Sequence, residues 1–144
     1  MKVAALLVAL LVAACATSPE AAPVPAPAQL ADMGVSLEPS DLNGTWDVTL
    51  FWSPTEPPSA TVMVLNVDEA GVLSGSFYDS EFLQAQYSLR GETLAFGSVT
   101  TDGSAPYSHS GRLIDGKIEG QTLSQGRDFL MIWVATRRQG LVPG

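Results

Sequence analysis

Between residues 52 and 126 the chain is interrupted at short intervals by residues that favour tight turns. Pro54 with Pro57-Pro58, Asp68-Glu-Ala-Gly71, Asp79-Ser80, Arg90-Gly91, Asp102-Gly103, Asp115-Gly116 and Gln125-Gly126 mark the breaks. Asp-Gly pairs accept the positive φ of tight hairpins, so the segments on either side are expected to pair in sequence order. Those segments are short, rich in β-branched and aromatic residues, and show no helical period. They predict strands at Thr45–Trp52, Ala60–Val67, Val72–Tyr78, Gln84–Arg90, Thr93–Thr100, Tyr107–Leu113, Lys117–Thr122 and Arg127–Arg137. Asp41 to Arg138 is about one hundred residues, enough for one all-β domain.

Leu42-Asn-Gly44, Leu73-Ser-Gly75, Leu89-Arg-Gly91 and Ile118-Glu-Gly120 each place an apolar residue two before a glycine. A strand glycine often marks a bend or bulge, and closing a small barrel needs several. The expected fold is therefore an eight-stranded antiparallel up-and-down barrel, with an open sandwich as the alternative. A barrel of that size is filled by its own side chains or holds one small ligand.

Gly44-Thr-Trp46 near the domain start and Trp133-Val-Ala-Thr-Arg137-Arg138 on the last strand resemble the calycin superfamily of lipocalins, fatty-acid-binding proteins and avidins. The resemblance implies that Gly44, Trp46 and Arg137 close one end of the barrel, with Arg138 as the alternative partner for the tryptophan. An arginine over an indole is a favourable stacking and cation–π pair. Asp47-Val-Thr-Leu-Phe-Trp52 departs from the polar first strand of avidin, and Phe77 stands where its third strand carries tyrosine. Biotin is therefore not the expected ligand.

If Trp46 points inward, strand alternation sends Val48, Leu50 and Trp52 inward as well. Phe77, Tyr87, Phe96 and Trp133 would add aromatic surface to the same interior. These residues form a candidate pocket for a small apolar molecule, or else they meet and fill the core. No Gly-x-Ser-x-Gly elbow accompanies the lone histidine, His109, and no His, Cys or carboxylate cluster has metal-ligand spacing. A noncatalytic protein with no cofactor and no metal is expected. A net charge of −8 at pH 7 argues against nucleic acid as a partner. A protein-interaction module, such as an envelope assembly factor or a protease-inhibitor-like barrel, is the competing function. Phe129-Leu-Met-Ile-Trp-Val-Ala135 supports it, because half of this apolar run must face outward. With Phe51 and Val62-Met-Val-Leu65 it would form an apolar stripe that Leu30 to Leu37, a second subunit or an envelope partner could cover.

Lys2 is followed by an uncharged apolar run from Val3 to Ala14, too short for a membrane span of about 20 residues. A basic start, a short apolar core and small residues at its end are expected of a secretory signal. Val12-Ala13-Ala14-Cys15 resembles the lipobox of bacterial lipoproteins, which implies that residues 1–14 are removed and that Cys15 is acylated. Cys15 is the sole cysteine of the chain, so no internal disulfide can form. Residues 15–40 read as an Ala- and Pro-rich disordered linker and residues 139–144 as a tail. Ala16, in a position where inner-membrane lipoproteins often carry Asp, favours an outer-membrane anchor facing the periplasm. Replacing Cys15 by Ser should leave an unprocessed precursor; membrane fractionation and mass determination check this, and parent-like processing would rule out acylation.

Overall fold

The computed structural model describes residues 36–140; the expected leader, Cys15 and most of the linker lie outside the described residues. A single 3-10 turn at Pro39–Leu42 opens the domain, where the Glu38 amide donates to the Asp41 carboxylate at 2.8 Å. The strands are β1 Gly44–Phe51, β2 Ser59–Val67, β3 Leu73–Phe77, β4 Ser80–Glu81, β5 Gln84–Arg90, β6 Thr93–Thr101, β7 Pro106–Ile114, β8 Lys117–Ser124 and β9 Phe129–Arg137. All are antiparallel neighbours in one sheet, in the order β4-β3-β2-β1-β9-β8-β7-β6-β5.

The up-and-down all-β architecture agrees with expectation, but the sheet has nine strands rather than eight. The extra strand is the two-residue β4, which lies where a turn at Asp79-Ser80 was expected. Residues 80–90 change partner partway. Ser80 and Glu81 pair with β3, the Phe82 amide bonds Gly75 at 2.9 Å, and the Leu83 amide then bonds Val99 at 2.8 Å. The two edge strands are thus consecutive in sequence. Three peptide units separate Glu81 from Gln84, a span of at most about 11 Å. That connection curls the sheet into a half-barrel; β3 and β5 approach one another but share no hydrogen-bonded ladder.

Curling gives the sheet one concave, buried face. Along β1 burial alternates residue by residue, with Trp46, Val48 and Leu50 inside and Asp47, Thr49 and Phe51 outside. Trp133, fully buried, occupies the middle of the interior, with ring centroids 5.3 Å from Phe77 and 6.4 Å from Phe96. The indole needs two glycines opposite it. Gly111 and Gly120 are cross-strand partners, and a Cβ on Gly120 would lie 2.3 Å from the Trp133 ring.

One end of the half-barrel is shut. Arg137 pairs with Trp46 across β1 and β9, and its guanidinium carbon sits 4.3 Å from the indole centroid. The same guanidinium donates to the carbonyls of Asn43 and Asp41 at the end of the 3-10 turn, groups left free where helical bonding stops. Trp46 Nε1 donates to the carbonyl of Leu42 at 2.9 Å. Gly44 has φ +138°, and a Cβ there would meet Arg137 Nη1 at 2.8 Å, so both backbone and space call for glycine. Arg138 instead pairs with the exposed Asp47 on the outer face. Leu37 packs against the buried core.

Replacing Trp46 by Ala should cost about 3–5 kcal/mol, the range for emptying a large buried aromatic site. Replacing Arg137 by Leu should cost less. Because the two side chains share one lid, their losses should fall short of additive in a denaturation double-mutant cycle. Additive losses would show that the lid is not a unit.

Candidate functional site

The opposite end remains open. A cavity of about 330 Å³ lies there, entered between the β3–β4 turn, the β6–β7 loop and the β8–β9 connection. Trp52, Phe77, Tyr107 and Phe129 supply aromatic walls. Trp52 and Phe129 meet edge to face at 5.5 Å, and Trp52 is steadied by a 2.9 Å bond from Nε1 to Ser59 Oγ. Met131, Thr100, His109 and Thr122 form the deeper surface.

This end is open because the inward positions change character along the strands. On β6 the inward series runs Leu94, Phe96, Ser98 and Thr100; on β8 it runs Ile118, Gly120, Thr122 and Ser124. Large apolar side chains give way to small polar ones, and volume is left over. Ser98 and Ser124 bury hydroxyls that have no protein partner among the described residues.

The polar floor is otherwise internally bonded. His109 Nε2 is 2.9 Å from Thr100 Oγ1, and His109 Nδ1 is 2.8 Å from Thr122 Oγ1. Trp133 Nε1 donates to Thr122 Oγ1 at 3.0 Å, which links the floor to the central indole. The His109 ring stacks on Phe77 with centroids 4.4 Å apart. Burial pushes its pKa down to about 4, so the imidazole is neutral at pH 7.

At the rim, Asp102 from the β6–β7 loop faces Arg127 from the β8–β9 connection, with Arg127 Nη2 2.5 Å from Asp102 Oδ2. Arg127 also donates to Ser104 Oγ at 2.9 Å, and its guanidinium carbon lies 5.7 Å from the Tyr107 ring centroid. The Tyr107 hydroxyl donates to Asp102 at 2.8 Å. Hydrogen bonds from the Ser104 hydroxyl and amide and from Tyr107 hold the Asp102 carboxyl far below the usual carboxylate range. Among the described residues no three His, Cys, Asp or Glu side chains converge as a metal site requires.

Of the residues expected from sequence, Trp52 and Phe77 line the cavity. Val48, Leu50, Phe96 and Trp133 are buried in the core, and half-buried Tyr87 packs against that core from β5 with its hydroxyl near Gly71. Gly44, Trp46 and Arg137 meet at the closed end. Phe129 and Met131 share strand parity with Trp133 and could have been read from it. The Asp102–Arg127 pair carries no such signal, since its members are 25 residues apart and meet through two separate loops.

No protein-family model matches the chain, and no curated protein matches it. Among solved structures, one described as "REP1-NXSQ fatty acid transporter" aligns at 13% identity and a TM-score of 0.36. The alignment covers 70% of this chain and 98% of the other, a likeness too distant to inform the ligand of this protein.

The neutral floor imposes a pH dependence. Unfolding returns His109 to its ordinary pKa of 6.5 from about 4, so the unfolded chain binds more protons between those values. The contribution is complete above about pH 6.5 and is lost as pH falls through 4. Between pH 7 and about pH 4.5 the native protein should lose about 2–3 kcal/mol more than His109→Gln does. Denaturant midpoints of the two proteins at both pH values check this; parallel losses would mean that His109 titrates normally.

Proposed function

We propose that this protein is a noncatalytic binder of a small, mostly apolar molecule, built on a calycin-like barrel and carried in the cell envelope on a lipid attached to Cys15. The observation that carries the binding assignment is the 330 Å³ cavity with aromatic walls at the open end. Its volume falls at the lower end of the range of about 300–1,000 Å³ usual for ligand pockets. The arrangement of Arg137 on Trp46 beside Gly44 supports the calycin-like assignment. The absence of catalysis is a proposal supported by His109, the chain's one histidine, which is buried and has both ring nitrogens engaged by threonines. The anchor and an outer-membrane, periplasm-facing address rest on the sequence around Cys15.

A second reading, an interaction module or a self-associating protein, is favoured by the outer face. Phe51 and Ile132 are exposed cross-strand partners, as are Leu123 and Leu130. Thr45, Asp47 and Thr49 separate this group from Val62 and Val64 on β2, so the expected stripe is interrupted.

Native mass spectrometry of the chain isolated from an envelope separates the two. The binder should carry a small-molecule adduct, and Met131→Trp, which fills the cavity from its inner side, should lose it. An adduct-free protein found bound to another polypeptide, or an adduct that survives Met131→Trp, would reject binding in this cavity.

A further inference from the structure

The cavity contains information about the head group of its ligand as well as its apolar body. Of the side chains that line it, Asp102 and Arg127 are the two charged at neutral pH, and they are paired with each other at 2.5 Å. His109 is buried and held by two threonines, and Tyr107 is a neutral phenol donating to Asp102. The net charge presented by the lining is therefore zero.

The two partners differ in what they can still offer. Asp102 accepts from the Ser104 amide at 3.0 Å, the Ser104 hydroxyl at 2.7 Å, the Ala105 amide at 3.3 Å, the Tyr107 hydroxyl at 2.8 Å and Arg127 Nη2 at 2.5 Å. Its acceptor capacity is filled. Arg127 spends Nη2 on Asp102 and Ser104, while Nε and Nη1 have no protein partner among the described residues. The rim thus has N–H donors to give and no uncompensated charge.

We propose that the cavity selects uncharged amphiphiles, namely molecules with an apolar body and a neutral head that accepts hydrogen bonds, such as an alcohol, ester or amide, and that the Asp102–Arg127 pair enforces this choice. The proposal rests on the cavity being a ligand site. A carboxylate approaching Arg127 meets Asp102 at the same place, and the full chain has a net charge of −8. An ammonium approaching Asp102 meets Arg127 and finds no free acceptor on that carboxylate. Either charged head gives up hydration without gaining an unpaired counter-charge. A neutral oxygen accepting from Arg127 loses much less.

Calorimetry at neutral pH with octanol, octanoate and octylammonium tests the inference, because the three share one apolar chain. Octanol should bind the native protein more tightly than either ion, by about fivefold or more, the scale of one partly exposed charge interaction. In Arg127→Gln the Asp102 charge is unopposed, and octylammonium should overtake octanoate. In Asp102→Asn the Arg127 charge is unopposed, and octanoate should become the preferred ion. Circular dichroism establishes that each variant is folded, and the native protein tests the head-group order even if one variant is not. Octanoate or octylammonium binding the native protein as tightly as octanol overturns the proposal, as does an ion preference that folded variants leave unchanged. Failure of all three probes to bind would instead reject the cavity as a site for apolar ligands, and this inference with it.

Discussion

The half-barrel depends on a covalent constraint: the two edge strands of its sheet are neighbours in the chain. Glu81 ends one edge and Gln84 begins the other, so the sheet cannot lie open. Its ends must come together, and one face must become an interior. Burial on alternate residues, the lid at one end and the cavity at the other all follow from that enclosure.

Within the enclosure, side-chain volume decides what is solid and what is hollow. Trp133 fills the middle because Gly111 and Gly120 make room for it. On one side of it, Leu94, Ile118, Leu65 and Trp46 close the core beneath Arg137. On the other, Thr100, Thr122 and Ser124 occupy inward positions that larger apolar residues hold elsewhere. Small polar residues leave space; Thr100 and Thr122 are satisfied by their hydrogen bonds to His109 and Trp133, while the Ser124 hydroxyl is left without a protein partner among the described residues. The cavity is thus made by the same strands as the core, with smaller residues at one end.

The rim adds a different kind of control. Asp102 is held by its own loop, while Arg127 arrives from another connection and lies against Tyr107. Pairing them leaves a mouth that is polar yet electrically balanced. A hydrophobic interior can distinguish molecules by size and shape; a compensated ion pair at its entrance can distinguish them by charge.

Strand alternation and turn chemistry are local properties, which is why the eight main strands could be read from the chain alone. So could the inward direction of Trp46, Val48 and Leu50. The choice between Arg137 and Arg138 as the indole's neighbour could not, because a shift of one residue in strand parity exchanges them, and the structure places Arg137 on Trp46. The ninth strand was not legible, because the partner change within residues 80–90 depends on where two distant edges meet. Nor was the division of the aromatic residues into cavity wall and core. Trp52 and Phe77 line the cavity while Phe96 and Trp133 do not, and that depends on how the curled strands bring the rings together. Sequence determined that alternate side chains of each strand face in, because alternation along a strand has a period of two. Tertiary structure alone decided which of them leave a space and that Asp102 meets Arg127, because both depend on the curvature and loops that bring separate strands together.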